Sequence, residues 1–231
     1  MPRLSGFSNR ATQTPINDHE TEEENEGITV QRQPPKKRLY ISILAGGGQG
    51  DGEQGIETEI LQLGDGPVWD CAACGGCAGK GRCIWEDDPA NQWIEKARQA
   101  DGFVFGAPVY FGHPAGGFLA LLDRMFYAGA DVFVHKPAAA VVSARRAGTV
   151  ASLDVLYKYF GVCQMPVVSS TYWNMVFGPA PRQVAQDQEG LQTMANLGRN
   201  MAWLLQCIQA GKSLGLTPPQ AETACRTDFN R

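Results

Sequence analysis

Four cysteines fall within thirteen residues, in the run Cys71-Ala-Ala-Cys74-Gly-Gly-Cys77-Ala-Gly-Lys-Gly-Arg-Cys83. The spacing is C-x2-C-x2-C-x5-C. Three thiolates at every third position can wrap one corner of a small inorganic cluster, and the fourth can close it. The residues between them are mostly Ala and Gly, which let a loop turn tightly and bring backbone N–H groups near the sulfurs. Cysteine thiolates are the usual ligands of iron–sulfur clusters, where C-x2-C-x2-C runs recur. Two other readings stand beside this one. A structural zinc site pairs its ligands across a longer loop, for which thirteen residues leave little room. The same residues can also persist as free thiols that load no metal.

The rest of the chain bounds what such a loop can belong to. At 231 residues it is long enough for one domain with appendages and a substantial core. Seven cysteines, an odd number with one tight group, do not form a disulfide framework and point to metal or redox chemistry. Cys163, Cys207 and Cys225 stand alone. The start, Met-Pro-Arg-Leu-Ser-Gly-Phe-Ser-Asn-Arg, has no apolar signal core. No apolar run approaches the roughly 20 residues of a membrane span. A net charge of −4 argues against a nucleic-acid partner. A soluble, cytoplasmic protein is expected, with neither membrane nor nucleic acid as partner.

The elements that must position the cysteines begin after an acidic, Pro- and Lys-containing stretch. Its composition predicts a disordered or loosely attached tail over 1–38, with a domain over 39–211 and a second tail over 212–231. Strands are expected at Leu39–Leu44, Ile56–Leu63, Gly102–Ala107, Pro137–Ser143 and Pro166–Ser170. The apolar runs at 102–107 and 137–143 read as strands buried on both faces. Helices are expected from Asp88-Pro89 to about Ala100, through Phe118–Phe126, from about Val150 to Phe160, and from Glu189 to about Ala210. Alternating strands and helices imply a parallel sheet covered on both sides, with ligands at the carboxyl ends of strands. The loops to search are therefore Pro108–Pro114, Ser143–Thr149 and Thr171–Gly178.

Those loops carry a family resemblance. Gly106-Ala-Pro-Val-Tyr-Phe-Gly112 followed by Leu119-Ala-Leu-Leu-Asp-Arg124 resembles the third-strand loop and helix of the NAD(P)H-dependent FMN reductases and iron–sulfur flavoproteins. Ser143-Ala-Arg-Arg-Ala-Gly-Thr149, Ser170-Thr-Tyr-Trp-Asn-Met175 and the Cys71–Cys83 loop are similar to segments of the same family. The resemblance implies a flavodoxin-like α/β fold: a doubly wound parallel sheet in a three-layer αβα sandwich, with an inserted cysteine loop. It implies FMN as cofactor, with Pro108, Val109, Tyr110, Phe111 and Gly112 lining the isoalloxazine. It also implies NAD(P)H as electron donor and a homo-oligomer, dimer or tetramer. Within the next loop, Ser143 and Thr149 offer hydroxyls and Gly148 a permissive backbone. Arg145 and Arg146 suit the negative charge of a reduced flavin or a dinucleotide phosphate, and otherwise read as a solvated pair. The candidate metal ligands are Cys71, Cys74, Cys77 and Cys83, with a [4Fe–4S] cluster as the expected occupant.

The expected function is an FMN-dependent oxidoreductase that transfers electrons between a small-molecule or protein donor and acceptor. A cluster-free FMN or quinone reductase and a non-catalytic scaffold are the alternatives. No catalytic side chain is assigned. His113, beside the proposed cradle, is a candidate for proton transfer, whereas His19 and His135 have no role. Tyr172 and Trp173 read as core aromatics, and Asn174 as a hydrogen bonder behind the cofactor. One departure from the family stands out. Relatives follow the first strand with a Ser/Gly/Asn/Thr-rich loop and a helix that receives the FMN phosphate. Here the eleven residues between Leu44 and Ile56 are mostly Gly. Such a run is a poor helix former, each Gly costing about 1 kcal/mol relative to Ala, so the phosphate-binding helix is expected to be missing.

Overall fold

The computed structural model describes residues 40–45, 56–64, 66–225 and 227. The expected tail at 1–38 and the glycine-rich stretch itself lie outside the described residues. The chain runs through β1 (Tyr40–Ala45), β2 (Glu57–Gln62), α1 (Ala90–Gln99), β3 (Gly102–Tyr110), β4 (His113–Pro114), α2 (Gly116–Ala128), β5 (Ala138–Ala144), α3 (Thr149–Val162), β6 (Met175–Phe177), α4 (Pro181–Val184) and α5 (Gln188–Ser213). The sheet order is β2-β1-β3-β5-β6, with β4 attached to β3.

Period-two alternation sends the two faces of the sheet to different partners. From β3, Phe103, Phe105 and Ala107 enter the larger core with Ala138, Ala140 and Val142 of β5. That core takes Trp93, Ile94 and Ala97 from α1, Phe118, Leu121 and Leu122 from α2, and Leu153, Leu156 and Phe160 from α3. On the opposite face Ala139 packs with Leu197, Met201 and Leu205 of α5, flanked by Val104 and Val141. Helices therefore cover both faces, giving the expected three layers. Strands β3, β5 and β6 are parallel, with Phe103 opposite Ala138 and Val142 opposite Met175.

The parallel expectation does not extend to the start of the sheet. Strand β1 runs antiparallel to both of its neighbours, with Ala45 opposite Glu57 in β2 and Leu44 opposite Gly102 in β3. A parallel crossover needs about a dozen residues and usually a helix. The composition of the eleven residues between Leu44 and Ile56 favours neither, and β1 and β2 pair antiparallel. The expected strand at 166–170 is also corrected. Only Val167 makes a bridge, to Ala138. Beyond it the chain bonds to α5 instead: Ser170 donates its hydroxyl to the Thr193 carbonyl, and Asn200 donates to the Ser169 carbonyl. The last strand forms later, at β6. Asp187 fixes its end, accepting from the Phe177 N–H at 2.8 Å while capping α5 through the Gly190 N–H at 2.9 Å. Helix α5 ends at Ser213. No helix among the described residues is long and apolar enough to cross a membrane.

Candidate cofactor-binding site

All four cysteines of the loop open onto one cavity, together with Trp85, Arg124 and Tyr127. They form no disulfides; Cys74 is exposed, Cys71 and Cys77 are half-buried and Cys83 is buried. Two turns shape the loop, closed by Ala78 N–H to Gly75 O at 3.1 Å and Lys80 N–H to Cys77 O at 2.9 Å. Ala73 adopts a positive φ of 50°, tolerable because its side chain is a single methyl. Among the described residues no three His, Cys, Asp or Glu side chains are gathered as a single ion would need. Four soft thiol donors lining one cavity are the donor chemistry that iron–sulfur clusters use.

The fourth cysteine is held differently from the other three. Asn91 of α1 accepts from the Cys83 N–H at 2.8 Å and donates to the Cys83 carbonyl at 3.0 Å. Arg124 of α2 is only 1% exposed. Its Nε donates to Cys83 Sγ at 3.3 Å, one terminal nitrogen donates to the Trp85 carbonyl at 2.8 Å, and the other is ion-paired with Asp88. Asp88 also accepts from the Ala90 N–H at 3.0 Å, close to the capping role expected of it, although Pro89 rather than Asp88 occupies the cap position. Sequence reasoning missed Arg124 and Asn91 as parts of the site. A signal was present for Arg124: it lies three residues after Leu121 and four before Ala128, on the stripe that α2 buries. A cation there requires acceptors inside the protein.

At the carboxyl end of the sheet the structure joins two of the predicted loops. Strand β3 continues through Pro108, where Ser143 lies opposite, and turns back after Tyr110. Phe111 (φ 52°) and Gly112 (φ 83°) form the turn between Tyr110 and His113. Positive φ at both central residues is the type I′ geometry that matches strand twist. It leaves Phe111 fully exposed and Tyr110 38% exposed. Gly148, with φ 88°, caps α3 against this hairpin. A Cβ on Gly148 would lie 2.6 Å from Gly112 Cα and 2.9 Å from a Val109 methyl, so only glycine permits the approach. Ser152 donates its hydroxyl to the Gly148 carbonyl at 2.8 Å, and Thr149 is buried at the first position of α3.

Other predicted residues are placed less simply. Arg145 and Arg146 are exposed beside this junction. His113 is exposed and its Nδ1 lies 2.6 Å from the neighbouring Pro114 carbonyl oxygen. Tyr172 and Trp173 are not core residues: both are exposed and meet edge to face at 4.6 Å. The serines before them are drawn to α5, which lifts the aromatic pair off the sheet. Asn174 is 1% exposed, and neither polar atom of its amide has a hydrogen-bond partner. The register also places the start of the sheet. The carboxyl end of β1 lies beside Gly102, at the opposite end of β3 from Tyr110, about 26 Å away at strand rise. Among the described residues no helix follows β1 before β2.

Known proteins share sequence with this chain over much of its length. The family model for NADPH-dependent FMN reductase matches residues 43–180. An iron–sulfur flavoprotein of Methanocaldococcus jannaschii is 30% identical over 165 residues, covering 68% of this chain and 85% of that protein. The iron–sulfur flavoprotein of Methanosarcina thermophila is 28% identical over 166 residues, covering 69% and 84%. Among solved structures, RosB with a bound formylriboflavin phosphate intermediate overlaps with a TM-score of 0.39 at 15% identity, covering 74% of each chain. An apo NADH:FMN oxidoreductase overlaps with a TM-score of 0.37 at 18% identity, covering 61% of this chain and 65% of that one. With a family match over more than half its length, and with parallel strands under helices on both faces, this flavodoxin-like α/β chain belongs to the NADPH-dependent FMN reductase and iron–sulfur flavoprotein family.

Proposed function

We propose that this chain is a flavin-dependent oxidoreductase that draws electrons from NAD(P)H through FMN and exchanges them with a [4Fe–4S] cluster. Cys71, Cys74, Cys77 and Cys83 would hold the cluster. The observation that carries the reading is the opening of all four thiols onto one cavity, beside a buried guanidinium. FMN, when bound, accepts a hydride from a nicotinamide and releases electrons singly, which lets it work with both partners. Pro108, Val109, Tyr110, Phe111 and Gly112 would bear on its ring. Gly148 packs closely against that hairpin, while Ser143, opposite Pro108, and Thr149, at the start of α3, would offer hydroxyls. Arg145 and Arg146 would face its negative charge or the phosphates of the dinucleotide.

Exposed Ile84, Trp85 and Tyr127 beside the cysteines suit burial against a second copy of the chain, in keeping with a homo-oligomer. Electron donor and acceptor are small molecules or proteins, and seven unpaired thiols suit a reducing, cytoplasmic compartment. Anaerobic purification followed by absorption spectroscopy, iron and sulfide assay, and NAD(P)H oxidation with a quinone acceptor tests the reading. Separable flavin and cluster bands with steady turnover are expected. Turnover without iron leaves the cluster-free reductase.

One observation weakens the grip on FMN. Strand β1 ends beside Gly102, at the opposite end of β3 from the aromatic hairpin, which is the wrong end of the sheet for a loop that would receive the phosphate of a flavin held at that hairpin. Titration of the purified chain should show FMN affinity well short of the sub-micromolar range. Sub-micromolar binding refutes this reading of the phosphate end.

A further inference from the structure

Arg124 presents a problem that stability alone does not solve. A buried ion pair is weak evidence for stability, because an apolar pair of similar volume often does as well. Asp88 and the Trp85 carbonyl account for two sides of the guanidinium. The third side faces Cys83 Sγ at 3.3 Å. A neutral thiol is a weak acceptor, so this donor is well matched only when the sulfur carries negative charge, as a metal-bound thiolate does. The same cysteine has its backbone fixed at both N–H and carbonyl by Asn91. Two helices thus converge on one ligand.

We infer that Cys83 is the preset anchor of the cluster and that Arg124 is the positioning residue that orients its sulfur and sets the cluster's potential. The inference rests on the cluster reading above. A hydrogen bond from a cation to a ligating sulfur stabilises the more negative, reduced cluster and so raises its potential. Asp88 tempers that effect by balancing the guanidinium charge, and it fixes the fork so that Nε rather than a terminal nitrogen meets the sulfur. Lysine cannot replace this arrangement, because a single ammonium cannot present the planar fork to Asp88, Trp85 and Cys83 together.

The test uses the full chain reconstituted anaerobically with iron and sulfide. Two variants are compared with the unaltered protein: Arg124→Lys, and Arg124→Met combined with Asp88→Asn, which removes both charges so that neither is left buried alone. Circular dichroism identifies the folded variants. In these the midpoint potential should move to more negative values and the cluster should be lost to a chelator roughly 10–100-fold faster. A folded variant with unchanged potential and unchanged iron loss overturns the assignment. A second measurement needs no variant to fold: pulsed EPR of the reduced, unaltered protein labelled with 15N only in the arginine guanidinium groups, which leaves the Arg82 backbone beside Cys83 unlabelled, should show nitrogen coupled to the cluster. Absence of that coupling overturns the role of Arg124 while leaving the cluster intact. Absence of iron from the unaltered protein overturns the cluster reading and this inference with it.

Discussion

Cys74 is the exposed member of the four thiols, with no side-chain or backbone clamp of the kind that fixes Cys83. Replacing it tests the ligand set with the least disturbance to packing. The unaltered chain should hold about four iron and four sulfide, and Cys74→Ser should lose most of the iron because a hard hydroxyl replaces a soft thiolate. Stoichiometric zinc in the unaltered chain would contradict that. A second single-residue effect concerns Tyr159, whose hydroxyl donates to Asp123. Burial first, then the bond to and charge of Asp123, raise its pKa. A raised acid pKa means that the folded state retains a proton the unfolded chain releases. The associated stability is whole below about pH 10, the unfolded tyrosine value, and is lost as pH rises through the folded pKa. Alkaline denaturation of Tyr159→Phe should therefore begin from lower stability yet fall less steeply above that pH. An identical slope in the two proteins would remove Tyr159 from the account.

At the level of elements, the contact between the β3–β4 hairpin and the start of α3 is set by one glycine. Gly148→Ala adds a methyl within 2.6 Å of Gly112 Cα, at a φ of 88° that side chains resist. The strain costs on the order of 1–3 kcal/mol, relieved only if the hairpin moves. The variant should unfold at lower denaturant and bind flavin more weakly, while its cysteine loop, which sits on α1 and α2, still loads iron. Equal loss at both places would show that the loops are not independent. The same region shows what could be read in advance. The apolar runs at 102–107 and 137–143 are too short and too continuous for anything but buried strands, so β3 and β5 were legible. The direction of β1 was not: its own residues suit either direction, and the outcome depended on a connection too short and too rich in Gly for a helix. The run at 166–170 misled because Val167 and Val168 look like a strand, whereas the serines after them find better partners on α5. Asn174 was legible as a polar residue near the site. That its amide would be buried without a partner depended on tertiary packing alone.

For the whole molecule, the arrangement predicts an assembly. Tyr127 is 62% exposed beside the cysteine cavity, on the helix that carries Arg124. Tyr127→Glu should shift the protein toward the monomer in sedimentation or light scattering, since a carboxylate is poorly tolerated in an apolar contact. An unchanged mass would locate the interface elsewhere.

Helix α2 has a mechanical consequence. The aromatic hairpin enters it at Gly116, and Arg124 grips Cys83 eight residues later, roughly 12 Å along the axis at helical rise. One rod therefore gauges the separation of the two places, and thermal motion of either loop does not change its length. A single residue inserted between Ala120 and Leu121 would turn everything beyond it by about 100° and advance it by about 1.5 Å. The guanidinium would swing away from the thiol while the hairpin stayed where it was. The phase of a helix, more than the composition of either loop, keeps the two in alignment.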